Sequence, residues 1–250
     1  MKISASILSS NNRIESVKKL NRTNTSYIHI DVMDGKFVED KQFSKVNEIN
    51  SINIMTNKKL DIHLMVENPK YYLRKLKGMN IEFVTVHLEI DKEINSIIKT
   101  IKGKGYKVGL AIKPETDIKK VEPYLNDIDL VLVMSVEPGK GGQKFKSTTT
   151  KKIKELKKII EDNNYNVLIE VDGGINNETI EKLSDADIAV VGSYITNNSD
   201  YYKKIQDLLN KTNSSSIIPE KITINTEIYI LFMLITLLLI INYLIIFLKQ

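Results

Sequence analysis

The run I-H-I-D-V-M-D-G occupies residues 28–35, and the rest of the chain is organised around it. Its apolar residues alternate with polar ones, as in a β-strand, where successive side chains point to opposite faces. His29 and Asp31 are two residues apart, so their side chains lie on the same face. A histidine and a carboxylate side by side at a strand end form half of a metal site. The alternative is an edge strand that carries two exposed polar residues.

Length and composition indicate a globular protein with a sizeable core. The chain has 250 residues, of which 42% are hydrophobic and 27% charged, enough for one α/β barrel or two small domains. Its net charge of +5 suits an anionic small molecule or membrane surface, but it is too small and too evenly spread to indicate nucleic-acid binding. The lack of cysteine excludes a disulfide framework and thiol chemistry.

Eight apolar, strand-like segments recur along the chain, and a helical pattern follows each of them. The predicted strands are 2–8, 26–32, 60–66, 83–88, 107–112, 129–136, 167–172 and 187–192. The predicted helices are 13–20, 46–54, one opened by Pro69, 92–103, 117–125, 147–162, 177–183 and 199–210. Near-continuous apolar strands that alternate with helices indicate a parallel sheet. Eight such units within about 210 residues predict an α/β fold of the closed (β/α)8 TIM-barrel type rather than an open sheet.

Polar residues collect at the predicted carboxyl ends of these strands, where barrel enzymes place their active sites. Ser6 lies near the end of the first strand, His63 and Met65 end the third, His87 ends the fourth and Asp172 the seventh. The chain has three histidines, and all three lie near strand ends. Their clustering at one rim favours a functional role over three separate core residues.

Two imidazoles and two carboxylates at this rim form a donor set for one divalent metal ion. The predicted ligands are His29, Asp31, His63 and Asp172. Donor type alone does not choose among Zn²⁺, Fe²⁺, Mn²⁺ and Co²⁺. The alternative is four unrelated polar residues that cap barrel strands.

Glycine-containing loops follow the last three predicted strands. They are P-G-K-G-G-Q (138–143), D-G-G-I (172–175) and V-G-S (191–193). Glycine lets backbone N–H groups surround an anion, and barrels often bind phosphate in the loops after their last two strands. Each loop alone also fits a tight turn, but three at adjacent strand ends predict a phosphate site.

Seven motifs extend this pattern over about residues 1–205. They are S-I-L-S (6–9), I-H-I-D-V-M-D-G-K-F-V (28–38), L-D-I-H-L-M-V-E-N-P (60–69), V-T-V-H-L-E (84–89), M-S-V-E-P-G-K-G-G-Q-K-F (134–145), I-E-V-D-G-G-I (169–175) and V-V-G-S (190–193). In type and order they resemble the ribulose-phosphate 3-epimerase family. The loop 39–44, E-D-K-Q-F-S, departs from the family pattern at a place expected to help cover the substrate.

The resemblance implies a metal-dependent isomerase of the pentose phosphate pathway, commonly a homo-oligomer, that converts D-ribulose 5-phosphate to D-xylulose 5-phosphate through an enediolate. It implies that Asp31 and Asp172 are the acid/base pair. The implied substrate contacts are Ser6, His63, Met33, Met65, Met134, Gly139, Lys140, Gly141, Gly142, Gly173, Gly174, Gly192 and Ser193. For the methionines the alternative is apolar filling. For the whole chain, the alternatives are an epimerase for a related ketose phosphate such as allulose 6-phosphate, or a non-catalytic membrane-anchored barrel.

The segment I-Y-I-L-F-M-L-I-T-L-L-L-I-I-N-Y-L-I-I-F-L (228–248) carries no charged residue and is long enough to span a bilayer. Tyr229 and Lys249 near its ends suit the membrane interface. The polar stretch 211–227 is typical of a linker and follows the predicted barrel, 1–210. We therefore expect a single-pass, tail-anchored membrane protein with its barrel in the cytoplasm. The alternative is a buried helix of the barrel fold.

Overall fold

The computed structural model describes residues 1–90 and 93–216. Its strands are β1 (Lys2–Ser6), β2 (Tyr27–Asp34), β3 (Lys41–Gln42), β4 (Lys59–Met65), β5 (Ile81–His87), β6 (Lys107–Ile112), β7 (Leu130–Met134), β8 (Leu168–Asp172) and β9 (Ile188–Val191). Its α-helices are α1 (Arg13–Leu20), α2 (Val46–Met55), α3 (Pro69–Lys75), α4 (Ile94–Lys102), α5 (Thr148–Asp162), α6 (Ser193–Thr196) and α7 (Tyr201–Ser216).

Eight parallel strands close into a barrel. They pair in the order β1-β9-β8-β7-β6-β5-β4-β2, and pairing of β1 with β2 completes the ring. The remaining strand, β3, pairs antiparallel with the end of β2 and lies outside the ring. The barrel predicted from eight alternating strands and helices is therefore present.

Alternation along the strands sorts their side chains between two cores. Ile28, Ile30 and Val32 of β2 belong to the large cluster that also contains helix residues. The residues between them face the other way, into the barrel. Tyr27, for example, packs in the interior cluster with Phe83. This second core fills the end of the barrel at which the strands begin, and polar residues occupy the other end.

Two helical predictions differ from the structure. Segment 117–125 forms two short 3₁₀ turns, Ile118–Lys120 and Glu122–Tyr124, because Pro123 has no N–H to continue a helix. Segment 177–183 forms a single 3₁₀ turn, Ile180–Leu183. The predicted helix start at Pro69 is confirmed, and Asn68 caps it by accepting a hydrogen bond from the Tyr71 N–H.

The predicted transmembrane helix at 228–248 lies outside the described residues. Within 1–90 and 93–216, no helix is both long and apolar enough to cross a membrane. The longest, α5 and α7, have 15 and 16 residues and carry charged side chains, whereas a bilayer core requires about 20 predominantly apolar residues. The predicted fold class is therefore corrected: the described residues support the (β/α)8 barrel and do not support the C-terminal transmembrane helix. The predicted tail-anchored localisation and membrane partner are withdrawn with the helix. Helix α7 also continues to Ser216, past residue 210, into the stretch predicted as a linker.

Close packing inside the barrel predicts that Gly109→Ala is destabilising. A Cβ at this position of β6 would overlap Thr85 Oγ1 and lie 2.9 Å from Thr85 Cβ. We expect urea denaturation to show a loss of ~1–3 kcal/mol in the free energy of unfolding. The double variant Gly109→Ala with Thr85→Ala should recover part of this loss, since it removes the overlapping oxygen. Equal stability of Gly109→Ala and wild type would contradict the packing described here.

Candidate active site

The four predicted metal ligands converge at one end of the barrel. Each offers a ligand atom, and these four atoms lie within 4.8 Å of one another. Strand register explains this convergence, because β2 and β4 pair with Asp31 directly beside His63. The strand β8 brings Asp172 to the same end, where its Oδ2 lies 3.9 Å from His63 Nδ1.

His29 presents one free nitrogen to this cluster. Its Nδ1 lies 2.7 Å from Asp61 Oδ2, and Ser4 Oγ donates to the same carboxylate oxygen at 2.7 Å. Its Nε2 is buried and has no hydrogen-bond partner. Burial opposes protonation, but the charges of Asp61 and then Asp31 outweigh it and raise the pKa of His29 well above its usual value. A buried nitrogen without a partner, aimed at two carboxylates and a second imidazole, fits a metal ligand.

Asp31 bridges the two histidines. Its Oδ1 lies 3.3 Å from both His29 Nε2 and His63 Nδ1, while its Oδ2 accepts a 3.0 Å hydrogen bond from Ser6 Oγ. Burial disfavours its ionised form. The positive charge of His29, 3.3 Å away, outweighs that effect and holds the pKa of Asp31 well below its usual range.

Asp172 has a different environment from Asp31. Its side chain keeps 18% of its surface exposed, compared with 4% for Asp31. Burial and then the negative charge of Asp31 raise the pKa of Asp172 to about 6. The two carboxyl groups therefore favour opposite protonation states in weakly acidic solution.

A cleft opens above this cluster and encloses about 530 Å³ of space, part of it open to solvent. Asp31 and Asp172 line it, as does every predicted substrate contact except His63. Met33, Met65 and Met134 are at most 2% exposed. They form an apolar lining beside the two carboxylates.

The glycine loops form one wall of this cleft. Gly173 and Gly174 have φ values of 117° and 62°, a region that residues with a Cβ rarely adopt. A Cβ at Gly174 would overlap the backbone of Phe145 and lie 2.8 Å from Gln143 O. Gly192 lies beside Ser6, since a Cβ there would be 3.6 Å from Ser6 Cβ. Glycine is required at Gly173 and Gly174 by these backbone angles, and at Gly174 also because two backbone segments approach each other closely.

The loop that departs from the family pattern meets the first glycine loop across the cleft mouth. A Cβ at Gly139 would lie 3.0 Å from Val38 Cβ, and Lys140 Nζ lies 3.8 Å from Glu39 Oε2. Phe43 anchors the other end of this loop, being buried beneath the guanidinium of Arg13 at 4.1 Å from the ring centroid. The altered loop thus keeps defined contacts on both sides.

Sequence reasoning assigned no specific role to four further polar residues near the cluster. They are Asp61, His87, Glu89 and Glu170. Asp61 contacts His29, while His87 Nε2 lies 2.9 Å from His63 Nε2. Two spacings were the available signal: D-I-H (61–63), which lies within a strand, and H-L-E (87–89), which begins at a strand end and continues into the 3₁₀ turn Leu88–Ile90. Both oxygens of Glu170 are buried without a partner, and burial, with the charge of Asp61, raises its pKa well above the usual value.

Solved structures with low sequence identity share this fold. 3-Hexulose-6-phosphate synthase from Salmonella typhimurium superposes with a TM-score of 0.63 at 16% identity, covering 86% of this chain and all of that one. A mutant tryptophan synthase alpha-subunit from Pyrococcus furiosus gives 0.63 at 14% identity, covering 84% and 98%. At such identities the likeness concerns the barrel alone.

Comparisons of the sequence identify the family, which the structural similarities do not. The model of the ribulose-phosphate 3 epimerase family matches residues 2–196. Ribulose-phosphate 3-epimerase of Helicobacter pylori strain J99 is 35% identical over 217 residues, covering 84% of this chain and 97% of that protein. The same-named protein of Bacillus subtilis strain 168 is 36% identical over 216 residues, covering 83% and 98%. That of Methanocaldococcus jannaschii is 37% identical over 212 residues, covering 83% and 89%. The chain therefore belongs to the ribulose-phosphate 3-epimerase family.

Proposed function

We propose that this protein is an isomerase that inverts C3 of D-ribulose 5-phosphate to give D-xylulose 5-phosphate, a reaction of the pentose phosphate pathway. Membership of the family supports the reaction. The observation that carries the proposal is the pair of carboxylates, Asp31 and Asp172, at the floor of a cleft with glycine loops on one wall. The homo-oligomer predicted from the resemblance stays a prediction.

The cluster fits one divalent metal ion, which His29, Asp31, His63 and Asp172 would hold. The partnerless Nε2 of His29 and the mixed imidazole and carboxylate donors support this assignment. Such an ion acts as a Lewis acid toward negative charge that develops on the ketone and neighbouring hydroxyl oxygens. Zn²⁺, Fe²⁺, Mn²⁺ and Co²⁺ all suit these donors.

Two carboxylates account for the inversion itself. Inverting a carbinol carbon next to a ketone requires that one group removes the C–H proton and another returns a proton to the opposite face. Asp31 and Asp172 come from β2 and β8, which are separated in the ring by β1 and β9. A planar intermediate between them would have a carboxyl group on each side.

The rest of the cleft supports binding and exclusion of water. The methionines Met33, Met65 and Met134 line the reacting end with polarisable sulfur and offer no competing proton. Backbone N–H groups of the glycine loops, 139–142 and 173–174 with Gly192 and Ser193, would surround the phosphate. Contacts of Val38 and Glu39 with the loop 139–142 bring two walls together at the mouth.

The acid/base assignment predicts that Asp172→Asn keeps its fold but loses turnover. The amide has nearly the same shape as the carboxyl group and cannot accept the proton. We expect kcat for conversion of ribulose 5-phosphate to fall by about 10²–10⁴-fold, measured by a coupled assay of xylulose 5-phosphate. The matched control is Asp162→Asn at the exposed end of α5, which should stay near wild type. Near-normal activity of Asp172→Asn, at an equal melting temperature, would remove Asp172 from the mechanism.

Metal dependence predicts that chelation abolishes activity and that a divalent ion restores it. We expect the loss to exceed about 100-fold, and adding Zn²⁺, Fe²⁺, Mn²⁺ or Co²⁺ separately would rank the metals. Allulose 6-phosphate assayed in parallel tests the alternative substrate. An enzyme that remained fully active while elemental analysis found no metal would contradict the metal-dependent reaction. A chain that is inactive on both substrates and binds no metal would favour the non-catalytic alternative.

The phosphate assignment predicts that Gly174→Ala impairs substrate binding. Its Cβ would force apart two backbone segments of the loop wall, and we expect KM for ribulose 5-phosphate to rise about 10-fold or more, because strain of ~1–3 kcal/mol falls on the binding conformation. Gly78→Ala is the matched control. It imposes a side chain on a similar positive φ of 84°, but nothing lies within 4 Å of its Cβ. Equal KM values for the two variants would argue against this loop as the phosphate site.

A further inference from the structure

The two histidines of the proposed metal site have different partners on the ring nitrogen that faces away from the site. His29 contacts a carboxylate directly, because its Nδ1 lies 2.7 Å from Asp61 Oδ2. The corresponding nitrogen of His63, Nε2, reaches a carboxylate only through a second imidazole. It lies 2.9 Å from His87 Nε2, and His87 Nδ1 lies 3.0 Å from Glu89 Oε2. Side chains that hold the far nitrogen of a ligand histidine normally fix its tautomer and orientation.

The Glu89 carboxylate, the last group in this series of contacts, is itself held by hydrogen bonds. Glu89 Oε1 accepts a 2.8 Å hydrogen bond from the Lys113 N–H and another from the Thr116 hydroxyl. Although burial opposes ionisation, the hydrogen bonds from His87, Lys113 and Thr116 lower the pKa of Glu89 to about 2. An ionised Glu89 can only accept, so its Oε2 requires a proton on His87 Nδ1.

The donor and acceptor of each hydrogen bond from Glu89 through His87 to His63 follow from that requirement. A neutral His87 with its proton on Nδ1 has a lone pair on Nε2. The neighbouring Nε2 of His63 must then donate, since two lone pairs would otherwise face each other at 2.9 Å. The proton of His63 is therefore on Nε2. The lone pair of Nδ1 would then be available to a metal ion held beside Asp31 and Asp172, whose nearest oxygens lie 3.3 and 3.9 Å from Nδ1.

Burial leaves this arrangement without a substitute partner. His63 and His87 are both fully buried, and their ring centroids lie 5.0 Å apart with 29° between the ring planes. Phe37 lies against His87 with ring centroids 4.7 Å apart, and the ammonium of Lys113 lies over Phe37. Bulk water therefore cannot replace His87 as the acceptor for His63.

We propose that His87 and Glu89 are positioning residues that keep the proton of His63 on Nε2 and so leave Nδ1 free to bind the metal ion. This inference rests on the proposed metal-dependent function. It assigns a role to His87, which is not one of the four candidate ligands and does not line the cleft.

Glu89→Gln should reverse the direction of both hydrogen bonds, the one between residue 89 and His87 and the one between His87 and His63. The amide oxygen would stay with the two donors, Lys113 and Thr116, so the amide NH₂ would point at His87 Nδ1. That nitrogen would have to accept, which moves the proton of His87 to Nε2. His87 would then donate to His63 Nε2 and leave the proton of His63 on Nδ1, the atom that faces the metal.

The experiment measures the Zn²⁺ dissociation constant of the full-length chain by competition with a chromogenic chelator. We expect Glu89→Gln and His87→Phe to weaken binding by about 10–100-fold. His87→Gln should bind within a few-fold of wild type, because its amide oxygen can accept from His63 Nε2. Glu122→Gln, an exposed glutamate in a 3₁₀ turn, is the control for loss of charge. Melting temperatures measured with excess chelator would identify any variant that loses affinity through unfolding.

Imidazole ¹⁵N shifts give a second readout that a merely structural role would not change. With three histidines in the chain, the His87 signals can be assigned from His87→Gln. We expect the proton of His87 on Nδ1 in the wild type and on Nε2 in Glu89→Gln. Unchanged affinity in both Glu89→Gln and His87→Phe, or a His87 proton on Nε2 in the wild type, would overturn the proposal. Either result would leave the epimerase assignment intact as long as the wild type needs metal for turnover.

Discussion

The in-register pairing of β2 with β4 is the constraint on which the rest of the site depends. It places Asp31 beside His63 and His29 beside Asp61, all with side chains inside the barrel. Because side chains alternate along a strand, a slip of one residue would turn this polar set toward the helices. The apolar residues on the outer face, such as Ile28, oppose such a slip by packing under the helical layer. The same strand register therefore determines both the packing of the core and the geometry of the candidate site.

This arrangement places an unusual amount of polarity in the barrel interior. His29, His63, His87, Asp61 and Glu170 are all fully buried. Burying such groups without hydrogen-bond partners is unfavourable, and both oxygens of Glu170 have none. Folded proteins accept local costs of this kind where function requires them, and the large apolar layer between strands and helices offsets the cost here. A barrel filled by apolar residues at both ends would be easier to stabilise but would offer no ligands.

Strands and loops contribute different parts of the candidate site. Strands hold the ligands and the two carboxyl groups, since strand ends are positioned by many backbone hydrogen bonds and little conformational freedom remains. Loops form the glycine-rich wall of the cleft, where the backbone angles of Gly173 and Gly174 require glycine. The altered loop 39–44 contacts the first glycine loop through Glu39 and Lys140, whereas the candidate ligands lie on strands.

From local patterns of alternation, spacing and turn composition, the sequence by itself determined the barrel and the three glycine loops, and it singled out the four candidate ligand residues. It could not identify Asp61, His87 and Glu89 as partners of the ligands, although D-I-H and H-L-E are visible in the chain. Whether a polar side chain on a strand supports a neighbour depends on which residue the next strand places beside it, and only the tertiary register decides that. The short turns at 118–124 have both a local and a tertiary cause. Pro123 stops a continuous helix there, and packing against the barrel keeps Ile118 and Val121 buried without one.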